Sequence, residues 1–148
     1  MRAIVQVVKK ASVISNGKSF SNIGKGFVVL LGIKDDDTKK DAEYLMGKIE
    51  KLRVFEDENS KLNLSLKDVG GSVLLISNFT LYGTTIRQNR PSFIKAGHPE
   101  FSKPLYDYAV DILSQKVNVQ TGVFRTDMQI DMVADGPCTI ILDSEKTI

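Results

Sequence analysis

A chain of 148 residues, 42% of them hydrophobic, is long enough for one domain with a real core and offers nothing for a second. Twenty Lys and Arg against eighteen Asp and Glu leave +2, too weak a balance to argue for nucleic acid from net charge. One Cys and one His exclude an internal disulfide and a zinc set. The longest apolar run, "FVVLLGI", is far too short for a membrane span, and the N-terminus lacks a signal-peptide core. We therefore expect a soluble protein in a reducing, cytoplasmic setting, with no membrane partner and no structural metal.

"MRAIVQVV" (Met1 to Val8) alternates loosely and is rich in β-branched residues, "ASVIS" (Ala11 to Ser15) reads as a second short strand, and "SNGK" (Ser15 to Lys18) is a turn signal. The chain should open with a β-hairpin region. Phe27 to Ile33 is apolar without alternation, as a strand covered on both faces would be, which predicts a central place in a sheet. Asp37 or Thr38 then offers an N-cap, Asp41 falls in the first turn, and Ala42, Leu45, Ile49 and Leu52 recur at spacings of three and four. This predicts the first helix. Arg53 to Phe55 reads as a short strand before the polar loop "EDENSK", and Gly70 with Gly71 turns the chain into "VLLISNFTL", Val73 to Leu81.

With a period of two, Val73, Leu75, Ser77, Phe79 and Leu81 share one face of that segment, and Leu74, Ile76, Asn78 and Thr80 share the other. Both faces begin apolar, so the strand should lie within the core. Its second half is polar, however, and an unpartnered buried hydroxyl or amide costs roughly 1–3 kcal/mol. Ser77, Asn78 and Thr80 must therefore pair or line a cleft. Taken alone, the two hydroxyls read most simply as satisfied by neighbouring carbonyls. A Ser/His/Asp triad is disfavoured, because the one histidine, His98, precedes Pro99 at a loop-to-helix boundary where a solvated residue is expected.

Tyr82 to Gly97 is a long polar loop carrying Arg87, Arg90 and Lys95, either a solvated surface or a phosphate-binding rim. Leu105, Tyr108, Ala109, Ile112 and Leu113 mark a second amphipathic helix, with Pro104 expected in its first turn. Two β-rich segments, Met128 to Val133 and Cys138 to Leu142, close the chain around "ADGP", which reads as a turn. The bond between Gly136 and Pro137 is one of the few that can be cis, and a bare glycine lets a ligand approach the backbone. Cys138 reads as a small hydrophobe rather than a nucleophile. Many short strands, two well-formed helices and no regular strand-helix alternation predict a single α+β domain over residues 1–148. The expected form is a curved, barrel-like sheet with two main helices packed outside.

Together the motifs resemble one family. "SNFTL" (Ser77 to Leu81) resembles the Ser-Gln-Phe-Thr-Leu motif of the D-aminoacyl-tRNA deacylases, and "ADGPCT" (Ala134 to Thr139) resembles their Asn-x-Gly-Pro-x-Thr motif, in the same order and at matching spacing. Supporting stretches at Ile4 to Gln6, Ala11 to Val13, Arg90 to Phe93, Leu105 to Tyr108 and Gln120 to Gln129 extend the resemblance over essentially the whole chain. It implies a homodimeric hydrolase that cleaves the ester between a D-amino acid, or glycine, and the terminal adenosine of tRNA. That is chiral proofreading in translation, with no metal or other cofactor. The expected partners are the 3′ end of aminoacylated tRNA and a second copy of the chain, and DNA is not expected.

Carried over residue by residue, the resemblance directs the hydroxyls of Ser77 and Thr80 and the backbone N–H groups of Phe79 and Thr80 at the scissile region. Asn78, Gly136 and Pro137 would contact substrate, the last two as a Gly-cis-Pro element reaching into the partner subunit's pocket. Ser77 and Thr80 fall on opposite faces of an ideal strand, so the resemblance requires a bend or bulge around Asn78. Three positions depart from the pattern: Asn78 replaces Gln, Ala134 replaces Asn, and Val7 stands where many members carry an Arg that helps hold the Gly-Pro backbone. No convincing base is present, which suits assistance by the tRNA's own 2′-hydroxyl. The rival role for Thr80, a covalent nucleophile, lacks a neighbouring base. An alternative function, favoured by the three departures, is a dimeric RNA- or nucleotide-binding module that keeps the fold without turnover.

Overall fold

In a computed structural model that describes residues 1–148, the opening segment is one strand, β1 (Arg2–Ser15), where the sequence suggested two. Lys9 does not break the strand. It is skipped in the pairing with the closing strand, where Val8 faces Ala134 and Lys10 faces Val133, and so forms a one-residue bulge. The insertion reverses the phase of the alternation. Ala3, Val5 and Val7 face the main core before it, whereas Val8, Ala11 and Val13 enter a second apolar cluster.

The turn at Asn16 and Gly17 joins β1 to β2 (Lys18–Ile23), and β1 pairs antiparallel with β2 and with β3 (Gly26–Gly32) along one edge. β3 is central, as expected. Its Phe27, Val29 and Leu31 lie in the main core and its Val28 in the second cluster. α1 (Lys39–Lys51) is capped by Thr38, whose N–H and hydroxyl both donate to the Asp41 carboxylate at 2.8 Å. Asp37, the other candidate cap, is buried, and its carboxylate is taken by the Met1 ammonium and the Lys34 N–H. The predicted stripe of Ala42, Leu45 and Ile49 is buried against the sheet.

A two-residue strand, β4 (Phe55–Glu56), pairs with β5 (Leu62–Leu64) in a separate hairpin, and α2 (Leu66–Val69) is a single turn. β6 (Ser72–Ser77) runs parallel to β3 on one side and to β7 (Asn118–Thr121) on the other. The sheet curls until its ends meet, where the Ser21 hydroxyl on β2 donates to the Thr121 carbonyl on β7 at 2.6 Å. α3 (Pro99–Ser114) begins earlier than its apolar stripe suggested, with Pro99 as its first residue, so Pro104 lies in the second turn instead of the first. Pro99 sets the start because its missing N–H has no partner to lose there, while Pro104 forfeits one bond inside the helix. The two closing segments are also one strand, β8 (Met128–Asp143), paired with β1 along nearly its whole length.

Two contacts fix α3 over the sheet. The Tyr106 hydroxyl donates to the Leu75 carbonyl at 2.7 Å inside the core, and burial pushes its pKa well above the usual phenol value. At the start of the helix, the His98 backbone N–H and Nδ1 meet the two oxygens of Asp35 at 2.7 and 2.6 Å. Asp35 holds the imidazole above its ordinary value of 6.5, and the His98 hydrogen bonds hold the Asp35 carboxyl below its ordinary 3.8. The His98 contribution is complete below 6.5 and is lost as pH rises through the raised value, whereas that of Asp35 is complete above 3.8 and is lost on acidification through the lowered one. The junction is therefore held best between those two ordinary values.

Tyr106→Phe should cost about 1–2 kcal/mol in urea denaturation, because it leaves the Leu75 carbonyl unpaired in the core. A cost near zero would show that the carbonyl finds another donor. In an NMR titration His98 should protonate above 6.5 and return toward that value in Asp35→Asn. An unshifted wild-type titration would remove the pair as an anchor.

Candidate active site

Because β3, β6 and β7 are parallel, their carboxyl ends lie at one end of the sheet, where parallel strands commonly leave a crevice. A cleft of about 930 Å³ opens there. Leu31 at the end of β3 and Ile33 just beyond it enter its wall, as do Ser77 at the end of β6 with Asn78 to Thr80 after it, and Phe124 to Met128 follow β7. The loop before α3 supplies Phe93 and His98 from the other side.

The polar half of "VLLISNFTL" does not continue as strand. β6 ends at Ser77, and Phe79–Tyr82 form a 3-10 turn with Asn78 as its cap. The Asn78 N–H still reaches the Leu31 carbonyl at 2.8 Å, while its side-chain Oδ1 accepts the Thr80 N–H at 3.2 Å and also the Thr80 hydroxyl. Of the bend or bulge expected around Asn78, the chain takes the bend, and it does so by ending the strand. The ladder stops and a short amide folds back onto the chain two residues ahead, a local competition that a period-two reading does not register. Gly32 makes room for the turn, since a Cβ there would lie 2.9 Å from the Leu81 Cβ and 3.2 Å from the Asn78 carbonyl oxygen.

The result brings Ser77, Asn78, Phe79 and Thr80 to one cleft wall. Ser77 is half-buried, while Phe79 and Thr80 are exposed. The Phe79 ring meets Phe93 edge-on at 5.2 Å between centroids. Of the two expected backbone donors, the N–H of Phe79 is the first of the turn and has no acceptor within it, whereas that of Thr80 is held by Asn78. His98 lines the same cleft, but its Nδ1 is engaged by Asp35 and no hydrogen bond joins it to Ser77 or Thr80. The hydroxyls therefore have no imidazole poised to take a proton from them.

Gly136 and Pro137 lie outside this cleft. Gln6 faces Thr139 and Val8 faces Ala134, so four residues of β8, Asp135 to Cys138, stand against Val7 alone. "ADGP" is thus not a turn between two strands but a bulge within one. The ladder continues on both sides of the extra residues, and Gly136 adopts a φ of 112° that side chains disfavour. Its bond to Pro137 is cis, as expected, and both residues are exposed.

Sequence reasoning missed Gln6. Its Nε2 donates to the carbonyls of Val7 and Cys138, each at 3.1 Å, and its Oε1 accepts the Thr139 hydroxyl at 2.5 Å. The available signal was one amide inside the apolar run "IVQVV". Val7, where an Arg is usual, is buried and contributes to the main core. Ala134 is exposed beside the bulge.

Arg87, Arg90 and Lys95 sit on a stretch, residues 83–97, without a single acidic residue, and Arg125 lines the cleft in a left-handed conformation with φ 60°. None of these four cations enters an ion pair. No cluster of three or more His, Cys, Asp or Glu side chains could hold a metal ion, and no helix is long and apolar enough to cross a membrane.

Known proteins share this architecture and sequence. The chain is 54% identical over 147 residues to the D-aminoacyl-tRNA deacylase of Clostridium novyi (strain NT), covering 99% of each chain, and 48% identical over the same length to that of Thermotoga petrophila. The solved structure of the c-Myc DNA Unwinding Element Binding Protein superposes with a TM-score of 0.91 at 38% identity, covering 97% of this chain and 98% of that one. A probable eukaryotic D-amino acid tRNA deacylase shares the fold at a TM-score of 0.80 and 16% identity, over 95% of this chain and 97% of its own. A sequence profile described as D-Tyr-tRNA(Tyr) deacylase matches residues 4–143, and on that match and these identities the chain belongs to the D-Tyr-tRNA(Tyr) deacylase family.

Proposed function

We propose that this chain hydrolyses the ester bond of D-aminoacyl-tRNA, releasing the free D-amino acid and tRNA, at the Ser77–Thr80 wall of the cleft. The observation that carries the reading is the meeting, on that wall, of an open backbone donor at Phe79 with two hydroxyls, in a chain about half identical to D-aminoacyl-tRNA deacylases. Ester hydrolysis needs an attacking water, stabilisation of the oxyanion and a route for the proton. The Phe79 N–H serves the oxyanion. Asn78 takes the Thr80 hydroxyl hydrogen, which leaves that oxygen as an acceptor able to orient substrate or water. The proton passes through the 2′-hydroxyl of the terminal adenosine, since no side chain beside the hydroxyls is placed to accept it. Such chemistry belongs in the cytoplasm, where tRNA is charged.

Stereochemical selection is assigned to Gly136 and Pro137 in a homodimer. They are exposed on a bulge away from their own cleft, and β8 pairs along one edge only, with Met132, Val133 and Ile141 exposed on it. A two-fold dimer in which each bulge enters the other subunit's cleft would use both features. There the backbone leaves space for the α-hydrogen of a D-amino acid and excludes an L side chain, so selection is independent of which D side chain is presented, and glycine is accepted. Arg87, Arg90, Lys95 and Arg125 then flank the exit of the single-stranded 3′ end, where its phosphates emerge.

Incubation with D-Tyr-tRNA, a second D-aminoacyl-tRNA of unlike side chain, Gly-tRNA and L-Tyr-tRNA should release amino acid from the first three and spare the last. Release from none would favour the binding module, and rapid release from L-Tyr-tRNA would remove the stereochemical reading. Thr80→Ala should slow hydrolysis yet keep measurable turnover without a trapped acyl-enzyme, whereas a covalent aminoacyl adduct on wild-type Thr80 would establish it as the nucleophile. Arg87→Ala with Arg90→Ala should raise KM for the tRNA while sparing a D-aminoacyl-adenosine substrate, and should reduce the salt slope of binding by about 0.7 for each phosphate contact removed. An unchanged slope would return these arginines to the solvated surface.

A further inference from the structure

We infer that Gln6 is the positioning residue that holds the Asp135–Cys138 bulge and, through it, sets the discrimination between D and L substrates. The inference rests on the proposal that the bulge is the stereochemical gate. An antiparallel ladder satisfies its carbonyls strand to strand, and four residues standing against one interrupt that exchange at the foot of the bulge. Gln6 stands at the last regular pair before the interruption, opposite Thr139. Its amide nitrogen carries two hydrogens, and it gives one to each strand: to Val7 on β1 and to Cys138 on β8, both at 3.1 Å. The side chain thus replaces the missing rung.

The third contact fixes the orientation of the amide. The Thr139 hydroxyl donates to Oε1 at 2.5 Å, so the oxygen faces the hydroxyl and the nitrogen faces the two carbonyls. Gln6 is the one side chain that hydrogen-bonds the backbone of residues 135–138. The other polar contact to the bulge, Lys9 Nζ to Asp135 Oδ1 at 4.0 Å, joins two solvent-facing side chains and leaves the backbone untouched. Val7 beneath the bulge is apolar and buried, and it can resist collapse but cannot orient a carbonyl. A gate that excludes by the position of its backbone works only while that backbone is held still, and in this chain the hydrogen bond that holds it from a side chain comes from Gln6.

Three variants test the inference: Gln6→Met, which keeps the volume and loses every hydrogen bond; Gln6→Glu, which keeps an acceptor for Thr139 but turns a carboxylate toward two carbonyl oxygens; and Thr139→Val, which frees the amide from its third contact at an exposed position. Each is assayed for kcat/KM on D-Tyr-tRNA and L-Tyr-tRNA and for hydrogen–deuterium exchange in residues 134–139, with thermal melting as the check on folding. Gln6→Met and Gln6→Glu should accelerate exchange in the bulge and lower the D-to-L ratio about tenfold, the scale of one or two lost hydrogen bonds, by raising hydrolysis of the L substrate. Thr139→Val should move both readouts the same way by less, and it carries the test if the Gln6 variants do not fold. Unchanged exchange and an unchanged ratio would overturn the role of Gln6. Faster exchange with an unchanged ratio would overturn the other link, showing that Gln6 holds the bulge but that the bulge is not the gate.

Discussion

The hydrogen bond from the Asn78 N–H to the Leu31 carbonyl is the last rung between β3 and β6, and the arrangement of the cleft depends on the ladder ending there. Continued as strand through Thr80, the segment would place Ser77 and Thr80 on opposite faces. Because the Asn78 side chain captures the N–H and hydroxyl of Thr80, the chain tightens into a 3-10 turn and both hydroxyl residues reach one wall. Gly32 permits this on the facing strand, where any side chain would press against Leu81. A buried parallel strand and an exposed polar wall are consecutive parts of one segment, separated by a single side-chain-to-backbone bond.

That dependence gives Asn78 a meaning which its departure from the family pattern alone did not. As a shorter amide it reads as a loss of reach. In the folded chain it is short enough to close on its own backbone, and it thereby occupies a donor, the Thr80 N–H, that the resemblance had pointed at substrate. The neighbouring Phe79 N–H is left as the open backbone donor on that wall. Position 7 shows a comparable redistribution: the apolar Val7 joins the main core, and polar support for the bulge comes from the preceding residue.

Much of the scaffold could be read from residue patterns because its elements obey a single period over their length. Thr38, Asp41 and the Ala42, Leu45, Ile49 stripe give α1 its start and its buried face, and the unbroken apolar run from Phe27 gives β3 its central place. What escaped the reading is what changes period. Lys9 inserts one residue and Asp135 to Cys138 insert several, and each insertion looks in sequence like the end of one strand and the start of another. The family motifs identified which residues form the candidate site, but not that Asn78 caps a turn or that Gly136 and Pro137 ride on an uninterrupted strand. Gln6 escaped for a further reason: an amide between valines reads as the solvent side of an ordinary alternation, and its partners lie 132 and 133 residues away.

The extra residue at Lys9 gives β1 a parity. Ala3, Val5, Val7, Ala11 and Val13 keep one beat in sequence, and the extra residue turns that beat from one face to the other, so the strand serves the helix-covered core with its first half and the opposite cluster with its second. Length changes in this strand are therefore not equivalent. Removing one of the two residues between Val8 and Ala11 closes the bulge and leaves Ala11 and Val13 on their present face, but removing both inverts everything that follows, turning Ala11 and Val13 away from their cluster and Ser12 and Ile14 toward it. A lineage can lose either lysine codon between Val8 and Ala11 and keep both interiors, whereas losing the second as well would rewrite which half of the sheet has an interior.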